Sequence, residues 1–295
     1  MIIVKLQGGL GNQLFQYAAA RRLAHRHNAA LKLDTSFLKV ARVSREYELG
    51  HFNISAVIAS NEEIKEIVGY DITGPRPIIE RLRSKLGFAG RVSPVYKQPH
   101  FHFDPALLNA PDNIYLDGYW QSEKYFRDIE GIIRRELVVR HPLEGKNLEI
   151  TELIQTVDSV SFHVRRGDYV TDPEANRVHG NVCGPDYWRR SMDEVAAWVA
   201  RPHFFVFSDD PGWVKENLEF NHPVTFVAHN GPEKACEDLR LMSLCRHQII
   251  ANSSFSWWGA WLNGNPDKIV IAPDRWLNRQ DVNEGDIIPA TWRRL

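Results

Sequence analysis

Three short segments in the C-terminal half of the chain combine residue types that bind anions. The first is Ser161-Phe162-His163-Val164, running into Arg165-Arg166-Gly167-Asp168. Side chains alternate along a strand, so His163 and Arg165 fall on one face and Arg166 on the other. The planar guanidinium of Arg165 offers paired donors that match phosphate oxygens. Arg166 is expected to be held beneath by Asp168, with Gly167 giving the backbone room to turn; the competing reading is surface ion pairing with Asp168 and Asp172. The second segment, His203 to Phe207, leaves as Ser208-Asp209-Asp210-Pro211. A carboxylate there can accept from a ribose hydroxyl or from N1 and N2 of guanine, or cap the helix that follows. It could hold a metal only with a third carboxylate at suitable spacing. The third segment is Asn252-Ser253-Ser254-Phe255-Ser256-Trp257-Trp258-Gly259-Ala260-Trp261. Hydroxyls and amides at a helix start make an anion site, reinforced by the helix dipole; without an anion the serines simply cap. Phe255 and Trp257 are placed to border a ligand, and Trp258 and Trp261, three apart, to pack in the core.

The elements that position these segments are short apolar runs at 160–164, 204–207, 224–227, 248–251 and 268–271. Helical stretches at about 186–200, 213–219, 233–245 and 256–263 separate them. Such alternation predicts a parallel sheet covered on both faces, with ligands at the carboxyl ends of its strands. The first half opens the same way: an apolar run from Ile2 to Leu6, the turn Gly8-Gly9-Leu10-Gly11, a helix from about Asn12 to His27, and a second run, Ala29 to Leu33, ending at Asp34. Further on, Asn61–Val68 reads as a helix, Ile78–Leu86 as a basic helix after Pro75-Arg76-Pro77, and Ile114–Leu116 as a strand followed by a helix through Glu136. The segment His141 to Asn147 is the candidate linker. The expected architecture is α/β: two Rossmann-like domains, 1–145 and 146–295, facing a central cleft.

The whole chain has 295 residues, 43% apolar and 25% charged, with 36 basic against 37 acidic side chains. It is thus a folded globular protein with no overall field for nucleic acid or an anionic membrane. Cys183, Cys236 and Cys245 form no CxxC pair and suggest neither a zinc site nor a disulfide framework. No apolar run is long enough for a signal peptide or a membrane span, which points to the cytoplasm. Gly9-x-Gly11 with Asp34 has the look of a dinucleotide-binding turn, but Leu14 stands where the third glycine belongs.

Taken together, the segments resemble the bacterial α-1,2-fucosyltransferases of glycosyltransferase family 11, which have a GT-B-like fold. The resemblance rests on GGLGNQLFQYA (Gly8–Ala18), GYWQSEKYF (Gly118–Phe126), HxRRGDY (His163–Tyr169), FSDDPxWVKENL (Phe207–Leu218) and NSSFSWWGAWL (Asn252–Leu262). It implies that the second half binds GDP-fucose and that the first half helps bind the acceptor. Arg165 would then be the ligand of the β-phosphate, with His163 and Asp209 or Asp210 near guanine and ribose. Ser253, Ser254, Phe255 and Ser256 would lie at the diphosphate, and the Gly11-Asn12 turn would reach the donor from the other domain.

The implied reaction inverts the anomeric centre, turning β-linked GDP-fucose into an α-fucoside without a metal or any other cofactor. The implied acceptor is a terminal β-galactoside, as a free oligosaccharide or on a lipid-linked precursor. A lipid-linked acceptor would bring the protein to the inner membrane face, where the basic segment Arg76–Arg91 could assist, although the favoured reading of that segment is a solvated helix face. For a general base the loop after the arginine motif offers Asp168, Asp172, Glu174 and His179. Other readings are a different nucleotide-sugar donor, an NAD-dependent oxidoreductase using Gly9-x-Gly11 and Asp34, and a non-catalytic carbohydrate-binding protein.

Overall fold

A computed structural model of the chain describes residues 1–39, 44–70 and 93–295. The basic segment Arg76–Arg91 and the helix expected at Ile78–Leu86 lie outside the described residues. The chain divides into two compact units, Met1–Val138 and Val139–Leu295. The division precedes the segment read as a linker, and Gly145 already opens a helix, Gly145–Thr156.

Each unit is built on one parallel sheet, which is the Rossmann-like, GT-B-type class that the alternating pattern predicts. In the first unit the strands are β1 (Ile2–Lys5), β2 (Leu31–Asp34), β3 (Val57–Ile58), β4 (Val95–Lys97) and β5 (Ile114–Asp117), in spatial order β3-β2-β1-β5-β4. Helix α1 (Leu10–His27) begins two residues earlier than its sequence pattern indicates, because Gly9 serves as N-cap without a side-chain bond. Helix α2 (Asn61–Val68) starts at a capping box between Ser60 and Glu63 and buries Ile64 and Val68 against Ile3 and Tyr115.

The second unit contains α4 (Gly145–Thr156), after α3 (Glu130–Glu136) of the first, and then β6 (Asp158–Val164), α5 (Gly167–Thr171), α6 (Pro173–His179), α7 (Pro185–Ala196), β7 (Pro202–Ser208), α8 (Pro211–Asn217) and β8 (Val224–Val227). It ends with α9 (Ala235–Leu244), β9 (His247–Ile249), α10 (Ser254–Leu262), β10 (Val270–Ala272) and β11 (Arg293–Arg294). The strand order is β11-β10-β9-β6-β7-β8. Strand β7 is buried on both faces. Phe204 and Val206 join a core with Trp188 and Val195, while Phe205 and Phe207 join one with Ile154, Leu241 and Met242. On β6 the alternation is different: Val160, Phe162 and Val164 enter the first core, and the opposite face presents Ser159, Ser161 and His163, all buried.

Both sheets reverse direction once. After β6 the chain builds outward through β7 and β8, then returns to place β9 on the other side of β6; in the first sheet β2 and β5 flank β1 in the same manner. Crevices at such reversals are where parallel sheets bind ligands. Among the described residues no helix is long and apolar enough to cross a membrane.

Asp34, the residue an NAD reading would give to the ribose, is only 1% exposed and has both oxygens engaged. Its Oδ2 accepts from Tyr115 Oη at 2.6 Å and its Oδ1 from the Ser36 amide at 2.9 Å. Burial and this neighbouring carboxylate raise the Tyr115 pKa far above the ordinary tyrosine value, so the hydroxyl remains a donor. The aspartate fastens β2 to β5 across β1, so the carboxylate on which the NAD-dependent alternative drew is part of the framework of the sheet. Replacing Tyr115 by Phe is expected to lower unfolding free energy by about 1.5–3 kcal/mol, the usual worth of a hydrogen bond to a charged group. Urea unfolding checks this, and an unchanged midpoint would mean that the carboxylate is satisfied without Tyr115.

Candidate active site

The carboxyl ends of β6 and β9 bring the first and third segments together at the reversal of the second sheet, and β7 delivers the second beside them. Arg165, the first residue beyond β6, is held by two carboxylates. Its Nη2 meets Asp168 Oδ1 at 2.6 Å and its Nη1 meets Asp209 Oδ2 at 2.9 Å, with the side chain still 27% exposed. Burial opposes the guanidinium charge, but Asp209 and Asp168 outweigh it and raise the pKa above the ordinary arginine value. Asp168 therefore partners Arg165 and not Arg166, a correction to the pairing read from strand alternation. The reason is that Gly167 opens a helical turn, so that Asp168 stands one turn on from Arg165.

Arg166 is anchored elsewhere. Its Nε meets Asp210 Oδ2 at 3.1 Å, its guanidinium lies 3.9 Å from the centre of the Trp213 ring, and its amide donates to Asp209 Oδ1 at 2.8 Å. Asp210 also caps α8 through Trp213 N at 3.1 Å, so both oxygens of that carboxylate have structural work. Asp209 has the same double use, one oxygen on the Arg166 amide and one on the Arg165 side chain. Gly167 makes the space that the Asp209 carboxylate occupies, since a Cβ at that position would force the carboxylate to shift.

His163 lies behind Arg165 on the same strand face, 5% exposed, with its ring 5.7 Å from that of Phe255. Burial, aided by the charge of Arg165, lowers its pKa to about 3, and its Nδ1 is buried with no hydrogen-bond partner among the described residues. His179 ends α6 and its ring stacks on that of Tyr169, with centroids 4.8 Å apart, while the Arg165 guanidinium lies 5.5 Å from the centre of the same tyrosine ring. Burial lowers the His179 pKa as well. Asp172 caps α6 by accepting from Glu174 N and Ala175 N at 2.8 and 3.1 Å.

Helix α10 starts at Ser254, two residues earlier than its sequence pattern indicates, and Ser253 makes no side-chain cap bond to it. The Ser256 hydroxyl is buried and turned back to the carbonyls of Ser253 and Ala251, at 3.3 and 3.5 Å. Half-buried Ser254 and Phe255 are the open residues of this turn. Trp257 does not border the site: it is fully buried and its Nε1 donates to Ile287 O at 2.7 Å, which corrects its pairing with Phe255. Gly259 lets α10 approach Met242 of α9, where a Cβ would come within 2.9 Å.

In the first unit, Gly11 and Asn12 open α1, and Asn12 Oδ1 accepts from Gln121 Nε2 at 2.7 Å. Gly8 has φ +79, the left-handed region, and lies against the Asn12 side chain. Two residues that sequence reasoning passed over hold this turn. Fully buried Gln13 donates to the carbonyls of Gly8 and Glu46 and accepts from Glu48 N; fully buried Gln16 exchanges two bonds with the Gln7 backbone. The available signal was two amides three apart on a helix that is otherwise apolar on that side. Tyr169, Trp213 and Asn252 were also missed as positioning residues; Asn252 Nδ2 donates to the carbonyls of His179 and Trp276. Among the described residues no group of three or more His, Cys, Asp or Glu could hold a metal ion.

Two Rossmann-like units, with a guanidinium presented at the sheet reversal of the second, are the framework of a GT-B-type glycosyltransferase. The sequence profile of glycosyl transferase family 11 matches residues 99–295. An Escherichia coli α-1,2-colitosyltransferase is 32% identical over 303 aligned positions, covering 100% of this chain and 99% of that protein. The E. coli O-antigen biosynthesis glycosyltransferase WbnK is 34% identical, covering 92% of this chain and 93% of its own. Mouse galactoside α-(1,2)-fucosyltransferase 1 is 32% identical over 165 residues, 53% of this chain and 43% of that one. The crystal structure of fucosyltransferase NodZ from Bradyrhizobium superposes with a TM-score of 0.49 at 17% identity, over 88% of this chain and 91% of that one. The chain belongs to glycosyl transferase family 11.

Burial of the His163 imidazole has a consequence for acid stability. An unfolded chain protonates His163 below about pH 6.5, whereas the folded chain keeps it neutral down to about pH 3. The unfolded state therefore binds the extra proton in that window, and falling pH costs the fold up to about 1.36 kcal/mol per pH unit from this group. In the volume-matched His163→Leu variant, unfolding free energy should fall less steeply from pH 6.5 to 3 than in the wild type. Equal slopes would show that His163 is protonated in the folded protein.

Proposed function

We propose that the protein is an inverting α-1,2-fucosyltransferase. It moves fucose from GDP-β-L-fucose to the 2-hydroxyl of a terminal β-galactoside, in an oligosaccharide or a surface-glycan precursor such as O-antigen. The observation that carries this reading is Arg165 at the β6 exit, oriented by Asp168 and Asp209 and adjacent in the fold to the α10 start, which has no side-chain cap bond from Ser253. Residues 146–295 form the donor half and residues 1–145 the acceptor half. As the bond from the fucose C1 to the diphosphate oxygen breaks, negative charge grows on GDP. Arg165 and the amides of Ser254, Phe255 and Ser256 receive it, so the chain supplies its own electrostatic stabilisation. Ser253 and Ser256 shape that turn. His163 offers its Nδ1 to the nucleoside, and Asp209 and Asp210 act there through the arginines that they hold. Attack by the acceptor hydroxyl on the opposite face of C1 converts β to α.

For the proton of that hydroxyl, Asp172 is occupied as a cap and Glu174 is exposed on the first turn of α6, which leaves Asp168 and His179 beside the arginine. In Asp168→Asn, GDP affinity retained with kcat reduced about 100-fold or more would mark a base. Loss of both affinity and kcat would mark Asp168 as a residue that only orients Arg165.

The E. coli α-1,2-colitosyltransferase, similar over the whole chain, favours one second reading, a donor carrying colitose, which lacks the 3-hydroxyl of fucose. Either reaction takes place in the cytoplasm, at the inner membrane face when the acceptor is lipid-linked. Calorimetric titration with GDP, GDP-fucose and GDP-colitose in EDTA tests the proposal. Micromolar binding of GDP-fucose by the wild type, lost in Arg165→Ala together with turnover by roughly 100- to 1,000-fold, is the expected result. Near-normal kcat in the variant, or binding that requires Mg²⁺, would overturn the assignment. Preference for GDP-colitose would select the second donor.

A further inference from the structure

The first unit has a sheet reversal of its own, and the loops that leave it are built at a cost the sheet does not require. Strands β1 and β5 are neighbours, with Val4 level with Leu116, so the turn after β1 and the turn Gly118-Tyr119-Trp120-Gln121 after β5 leave side by side. The 2.7 Å bond from Gln121 to Asn12 ties them together. Trp120, fully buried, has φ +55, a conformation that an aromatic residue adopts only when its surroundings impose it. The surroundings are explicit. Gln98 Oε1 accepts from the amides of both Tyr119 and Trp120, at 2.8 and 3.2 Å. The indole is wedged between Tyr96 and Tyr125, with ring centroids 6.0 and 5.6 Å away. Gly118 leaves no room for a Cβ against Gln98 and the indole.

Trp120 carries a second cost, a buried Nε1 with no hydrogen-bond partner among the described residues. Neither cost serves the strand, which has ended at Asp117. What the strained turn does is fix its neighbours in opposite directions: Tyr119 outward, 41% exposed, and Gln121 onto Asn12. Polar and aromatic groups immobilised together at the reversal of a parallel sheet are the makings of a small-ligand site.

We propose that Tyr119 and Gln121 form the acceptor subsite, an inference that rests on the transferase reading above. The Tyr119 ring is the platform for the apolar face of a galactopyranose, whose axial 4-hydroxyl leaves the hydrogens of C3, C4 and C5 on one side. The Gln121 amide, with one proton on Asn12, keeps its Oε1 to accept a sugar hydroxyl. Strain at Trp120 holds both in place before the sugar arrives, which spares the entropy of ordering them.

The test compares the wild type with Tyr119→Ala, Tyr119→Phe and Gln121→Ala. Three quantities are measured: KM for lactose, Kd for GDP-fucose, and saturation-transfer NMR with methyl β-galactoside in the absence of donor. Tyr119→Ala should raise the lactose KM by roughly tenfold or more and abolish the NMR signal, with GDP-fucose affinity and thermal midpoint unchanged. Tyr119→Phe should retain acceptor binding, and Gln121→Ala should weaken it. A lactose KM and an NMR signal unchanged in Tyr119→Ala would overturn the inference, even where GDP-fucose binds normally. Failure of wild type to bind GDP-fucose, with galactoside binding intact and lost in Tyr119→Ala, would overturn the donor assignment and leave the subsite standing.

Discussion

The Asp209 carboxylate fixes the second unit's site, because one of its oxygens takes the Arg166 amide and the other the Arg165 side chain. An arginine at a strand end has four side-chain torsions and would otherwise sample many positions. Joined at once to the backbone and to the guanidinium, the carboxylate converts that freedom into one orientation, and the missing Cβ of Gly167 makes the space for it. Asp210 does the parallel work on Arg166 while capping α8, so two adjacent acidic residues lock two adjacent arginines. Their charges largely cancel, so the guanidinium stays half-buried and charged without an uncompensated ion beneath it.

The two units repeat one solution with different side chains. In each, the chain reverses around its first long strand, and the segment with the most unusual composition leaves the sheet at that reversal. In the second unit the residues there are cationic and amide-rich, suited to an anion. In the first they are glycines, amides and an exposed tyrosine, suited to a neutral polar ring. Parallel strands deliver all of these loops to one edge of their sheet, so short segments distant in the chain become neighbours without long connections. Buried amides such as Gln13 and Gln16 then replace the hydrogen bonds that tight loops leave unmade.

Much of this was legible from composition and spacing. The β6 and β7 runs, α2, and the glycine turn before α1 follow from periodicity and caps, and their expected bounds differ from those observed by a few residues at most. The segments that resemble family 11 are also those that gather at the strand ends. Helix starts at α1 and α10 were placed two residues late, since Gly9 and Ser253 end the preceding turn without a side-chain cap bond that a sequence rule could register. The helix α4 was hidden by Gly145, and the short helices after Arg166 by the loop-like composition of residues 167–180.

By itself, the sequence determined the fold class and the inventory of chemistry: alternating apolar runs admit little but two parallel sheets, and a guanidinium at a strand end keeps its charge in any setting. Partnership was left to tertiary structure. Asp168 lies two residues from Arg166 and three from Arg165, and only the helical turn at Gly167 decides that it faces the latter. Trp257 and Phe255 are neighbours in one motif, yet helical rotation sends one into the core and leaves the other beside His163. Asp34 ends a strand as a nucleotide ligand would, but Tyr115, 81 residues away, takes its carboxylate. Residue type sets what a group can bond; which bond it makes depends on which groups the packed chain brings within about 3 Å.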